Sequence, residues 1–121
     1  MIQKEGEEEN RTDVRNLGKK RIEAFIISER TDSVLSALES LNLPATFYES
    51  KGIGKGEKQT IRFGGRTGTM KMPYSTRQTV VTIVDENKVQ DAVAAIRQSA
   101  ATGKTNAGII VISPVEDILN I

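Results

Sequence analysis

What most constrains this chain is the order of its residue periodicities: a strand pattern, a helix pattern and a strand pattern, then a long interruption, then the same three again. RIEAFIIS, residues 21–28, is β-compatible and contains a run of apolar residues long enough for a strand buried in a sheet. Thr31 and Asp32 can cap a helix in which Val34, Leu35, Leu38 and Leu41 fall on one face. Asn42, Leu43 and Pro44 close that helix, since the residue before a proline is pushed out of the α region. ATFYESK, residues 45–51, reads as a second strand with Thr46, Tyr48 and Ser50 on one face and Phe47 on the other. Beyond the interruption, RQTVVTIV at 77–84 is a β-branched strand, and Asp85 is placed to cap a helix over 86–100 with Val89, Ala92, Val93 and Ile96 as its apolar stripe. GIIVI, 108–112, is the last strand, and Pro114 is expected to start a short terminal turn or helix.

Two such units in one small domain predict an α+β, ferredoxin-like βαββαβ architecture: a four-stranded antiparallel sheet with both helices on one face. A doubly wound parallel sheet would need more helices than the chain supplies. The second face of the sheet is left without a helix, and an apolar face there would imply oligomerisation.

The interruption, residues 52–76, carries Gly52, Gly54, Gly56, Gly64, Gly65 and Gly68, six of the ten glycines in the chain. From 51 to 71 the cations Lys51, Lys55, Lys58, Arg62, Arg66 and Lys71 face one acid, Glu57. Hairpins normally close in a few residues, so a structureless basic insertion of this length is the candidate working part. Within it, GIGKGEK could cradle an anion through exposed backbone N–H groups, the alternative being a plain flexible loop. Gly103-Lys104-Thr105 is not a P-loop, because Gln98 stands where the first glycine belongs and the turn leaves a helix for a strand. Its amides could still meet a phosphate, or Gly103 could simply end the helix.

Composition removes whole classes of chemistry. The 121 residues include no His and no Cys, which excludes imidazole bases, thiolate nucleophiles, disulfides and the commonest metal ligands. No metal site is expected. Glu23, Glu49, Asp85 and Glu86 read as capping or solvated groups rather than catalytic carboxylates, and no hydroxyl has a base to activate it, so the chain is not expected to be an enzyme. Five aromatic residues are too few for a base-stacking sheet, and a net charge of +1 exerts no general pull on nucleic acid. Residues 1–18 hold five acids and three bases without apolar spacing and read as a flexible acidic extension to a domain spanning 19–121, which then carries about +3. Neither a signal peptide nor a membrane-spanning run is visible, so a cytoplasmic location without membrane insertion is expected.

KKRIEAFIIS, then ATFYESKGIGKG, then the long loop, then AATGKTNAGIIVISPVEDI, resemble the PII signal-transduction (nitrogen regulatory) protein family over residues 19–121. The family pattern reads IEAII, T-V-x-E-V-K-G-x-G-x-Q, a protruding T-loop, and A-x-TGKIGDGKIFV-x-x-VE. The resemblance implies a homotrimer whose sheets pack inward, and a T-loop at about 52–76 that touches a transporter, metabolic enzyme or regulator of nitrogen metabolism. It also implies an adenine-nucleotide site in clefts between subunits. Position by position, Thr46 matches a nucleotide-pocket threonine, Lys51, Gly52, Ile53, Gly54 and Lys55 match the loop base that meets phosphate, and Thr102, Gly103, Lys104 and Gly108 match the B-loop. Lys58, Arg62, Arg66 and Lys71 become partner-binding loop residues.

Departures from the pattern weaken the site. Gly56 stands where the family has the glutamine that helps hold Mg-ATP with 2-oxoglutarate, Asn106-Ala107-Gly108-Ile109 replaces GDGK, and Leu119-Asn120-Ile121 stands where RIRTGE would begin. Each lost cation removes charge-assisted hydrogen bonds worth roughly 1.5–3 kcal/mol. The expectation is therefore a PII-like regulator that takes ADP or AMP ahead of Mg-ATP. Two other readings stay open: a sensor of ADP, AMP or bicarbonate linked to carbon uptake, and a ligand-free interaction module.

Overall fold

The computed structural model describes residues 18–54, 60–62, 69–71, 74–105 and 107–121, with 60–62 and 69–71 described by their backbone pairing. The acidic extension over 1–17, with Lys55, Lys58 and Arg66, lies outside the described residues.

The elements follow the expected order: β1 (Lys19–Ile26), α1 (Thr31–Ser40), β2 (Thr46–Gly52), β3 (Thr60–Arg62), β4 (Thr69–Lys71), β5 (Ser75–Asp85), α2 (Val89–Ala100) and β6 (Gly108–Pro114). β1, β2, β5 and β6 form one antiparallel sheet in the order β2-β5-β1-β6. The insertion is not structureless: β3 and β4 pair as a separate two-stranded antiparallel ribbon, with Thr60 opposite Lys71 and Arg62 opposite Thr69. Isoleucine, methionine and threonine at 60, 61, 69 and 70 supply the β-favouring residues that a count of glycines and charges hides.

Period-two alternation decides which side of the sheet is covered. Ile22, Ala24 and Ile26 of β1 and Val80 and Val84 of β5 are buried against Val34 and Leu38 of α1 and Ala92, Ile96 and Ala100 of α2. Burying each of the larger side chains stabilises the fold by about 1.5–3 kcal/mol. Thr82 shares this buried side because its hydroxyl donates to the Pro44 carbonyl at 2.6 Å, which ties the segment after α1 to β5.

Both helix starts differ from the sequence expectation. A 3-10 turn precedes each helix, at Ser28–Arg30 and Glu86–Lys88, so the N-cap positions fall to Arg30 and Lys88 and neither makes a side-chain cap. The Thr31 hydroxyl instead donates back to the Ser28 carbonyl at 2.8 Å. Asp85 remains in β5 and pairs with Lys19 Nζ at 2.7 Å, its cross-strand neighbour. The stop of α1 comes from Asn42, which takes the left-handed conformation at φ 58°. The Asn42 N–H donates to the Glu39 carbonyl and the Leu43 N–H to Leu38, the two bonds of a Schellman motif, and Leu43 packs on the core. At the other end of the chain, β6 continues through Pro114, and residues 115–121 form no turn or helix.

The uncovered side carries Phe25, Tyr48, Val81, Ile83, Ile109 and Val111, of which Tyr48, Ile83, Ile109 and Val111 are exposed. Polar contacts interrupt it: Thr79 donates to Ser50 Oγ at 2.7 Å, and Arg21 pairs with Glu23 at 3.3 Å.

Candidate functional site

Antiparallel pairing brings both glycine-rich turns to the same end of the sheet. Gly52 closes the ladder opposite Ser75, and Gly108 opens β6 opposite Ile26. They occupy opposite edges, three strand spacings or about 14 Å across the sheet, and Gly52 stands three residues, about 10 Å, further along it. An ion the size of phosphate reaches one turn or the other; a ligand reaching both must be extended.

At the β2 edge, Gly52, Ile53 and Gly54 are exposed and, with Ser75 and Arg77, line a pocket of about 170 Å³. No atom lies within 4 Å of where a Cβ would sit on Gly52 or Gly54, so their backbone is open to approach. Arg77 was absent from the sequence-derived site. Arg77 lies beyond the basic run that ends at Lys71, as the third residue of β5, and faces Ser50 across the ladder. Its Nη1 is shielded from solvent. Lys51 does not project freely: its ammonium lies 5.1 Å from the centre of the Tyr74 ring and 3.9 Å from the Glu49 carboxylate, bridging the two sides of the loop neck.

At the β6 edge, α2 ends at Ala100, and Gly103 takes φ +76°, the left-handed conformation that lets the chain turn. The Lys104 N–H donates to Thr102 Oγ1 at 3.2 Å, and Lys104 itself is exposed. Gly108 has a packing role of its own. At φ +149° a Cβ there would collide with the Phe25 carbonyl, which this close backbone crossing excludes.

Thr46 does not join either turn within one chain. It sits at the other end of β2, six residues or about 20 Å from Gly52. Arg62 and Lys71 lie on the β3-β4 ribbon, at opposite ends of its register. Among the described residues no group of three His, Cys, Asp or Glu side chains could hold a metal ion, and no helix is long and apolar enough to cross a membrane.

The family model described as "Nitrogen regulatory protein P-II" matches residues 19–121. Proteins of that name from Nostoc punctiforme and Azospirillum brasilense are 34% and 29% identical to this chain over 103 residues, covering 84% of it and 90% of each relative. Among solved structures, Arabidopsis thaliana PII bound to citrate superposes with a TM-score of 0.68 at 20% identity, over 89% of this chain and 87% of that one, a likeness of fold. With the sheet order, the inserted loop and the two glycine-rich turns, these matches establish that the chain belongs to the nitrogen regulatory protein P-II family.

Proposed function

We propose that this chain is a cytoplasmic regulator rather than an enzyme. It works as a homotrimer and uses the loop over 52–76 to report the state of an adenine-nucleotide site to a transporter, metabolic enzyme or regulator of nitrogen metabolism. The observation that carries this reading is the placement of two open glycine-rich turns at one end of the sheet, too far apart for one small anion. A nucleotide, with base and phosphates at opposite ends, fits such a span. Thr46 stands about 20 Å from Gly52 on β2, and in this reading it enters the nucleotide pocket from another copy. The apolar uncovered sheet face, with Tyr48, Ile83, Ile109 and Val111, supports assembly of copies through that face.

Within this reading ATP is disfavoured. Ile109 and Gly56 stand in place of a lysine and a glutamine that would hold phosphate and Mg-ATP with 2-oxoglutarate. Loss of the lysine alone lowers affinity by about 10- to 150-fold. Calorimetry with AMP, ADP and ATP, with and without Mg²⁺ and 2-oxoglutarate, together with sedimentation, tests the reading. ADP or AMP should bind a trimer more tightly than Mg-ATP does. Tight, Mg-dependent binding of ATP that 2-oxoglutarate reinforces would refute it.

The pocket of Gly52, Ile53, Gly54, Ser75 and Arg77 favours one second reading, a small-anion sensor linked to carbon uptake. Bicarbonate binding that Arg77→Ala abolishes, with no response to any nucleotide, would replace the first reading with this one.

A further inference from the structure

Between the last turn of α2 and the start of β6 lies a second cavity of about 170 Å³, distinct from the pocket at the loop base. Ile26, Ile96 and Ile110 wall it, small residues Ala100, Ala101 and Ala107 leave the space, and Gly108 and Ile109 border it at the start of β6. Its lining is apolar except for Arg97, an exposed residue of the last turn of α2 and the one charged residue among those that line it. Among the described residues no carboxylate pairs with Arg97.

We propose that this cavity binds a small apolar monocarboxylate, with a body of about six carbons against the isoleucines and alanines and its carboxylate at Arg97. Size sets the body: the volume is that of a benzene-sized group, and the side open to solvent leaves room for a polar head at the mouth. Charge sets the head. The carbonyls ending α2 repel an anion, so a carboxylate is held here only with a cation beside it, and Arg97 is that cation. The same balance rejects dicarboxylates such as 2-oxoglutarate, whose second charge would enter an apolar wall without a partner. The cavity borders the nucleotide site of the reading above at Gly108 and Ile109, but it needs no nucleotide, and a titration without one tests it separately.

The test is an NMR titration of the full chain with benzoate and 4-methylpentanoate, reading the methyl groups of Ile96, Ala100 and Ile110, with toluene and 2-oxoglutarate as comparisons. Both monocarboxylates should produce saturable shifts, and 2-oxoglutarate none at these methyls. Arg97→Gln should weaken binding about tenfold or more. Ala100→Leu should abolish it by filling the cavity, and Ala107→Leu fills the same space from the turn side if Ala100→Leu fails to fold. Absence of shifts overturns the proposal. So does toluene binding as well as benzoate with Arg97→Gln without effect, or shifts that persist in a folded cavity-filled variant.

Discussion

Replacing Gly108 by alanine tests the fold and the site together, because two independent penalties meet at one atom. A Cβ at this position overlaps the Phe25 carbonyl oxygen and lies 3.2 Å from the Phe25 carbonyl carbon and 3.3 Å from Ile26 Cα, all backbone atoms that cannot rotate aside. Relieving the overlap means moving β6 away from β1 at the first pair of their ladder, Ile26 with Gly108. Overpacking of this kind costs about 1–3 kcal/mol. The φ of +149° adds a strain of about 1–3 kcal/mol for any residue with a Cβ. Together the loss is about 2–6 kcal/mol, a large share of the roughly 5–15 kcal/mol that holds a domain folded. Urea unfolding followed by circular dichroism, at one fixed protein concentration because assembly contributes to stability, measures it. Gly103→Ala is the internal comparison: it shares a positive φ, of +76°, but nothing lies within 4 Å of its Cβ, so only about 1–2 kcal/mol is expected. If Gly108→Ala were no more costly than Gly103→Ala, the close crossing of Phe25 and Gly108 would be wrong.

Substitutions at two further positions probe the connection between α1 and β2. Asn42→Ala forces a Cβ residue with no compensating side-chain amide into the left-handed stop of α1, and thermal unfolding should show a loss of about 1 kcal/mol, whereas Asn42→Gly should be neutral or stabilising. Thr82→Val keeps the shape of a side chain that is 2% exposed but removes the donor to Pro44. The orphaned carbonyl should cost about 1–3 kcal/mol, and an unchanged denaturation midpoint would show that water replaces the bond.

Much of the architecture was legible before any coordinates, because burial follows local period. Ile22, Ala24 and Ile26 alternate, and Ala92 and Ile96 are one helical turn apart, so the sequence already orders strands and helices correctly. Helix starts were less legible: a threonine or aspartate before a helix looks the same whether it caps the helix or, with a 3-10 turn intervening, bonds backwards as Thr31 does or pairs across strands as Asp85 does. The β3-β4 ribbon escaped notice because glycine and lysine dominate its surroundings. Arg77 escaped because it belongs to a regular strand, and only cross-strand pairing aligns it with the loop base.

The candidate site divides along the same line. Periodicity and the two glycine-rich turns are properties of neighbouring residues, so the sequence alone determined that there are two strand-helix-strand units, that a basic loop separates them and that both turns are candidates to meet an anion. Where those turns stand relative to each other depends on contacts between residues distant in the chain. Only the order and register of β2-β5-β1-β6 put Gly52 and Gly108 at one end of the sheet on opposite edges and leave Thr46 midway along it, level with Glu23 and Val111, because antiparallel hydrogen bonding sets strand direction and register across the whole domain at once.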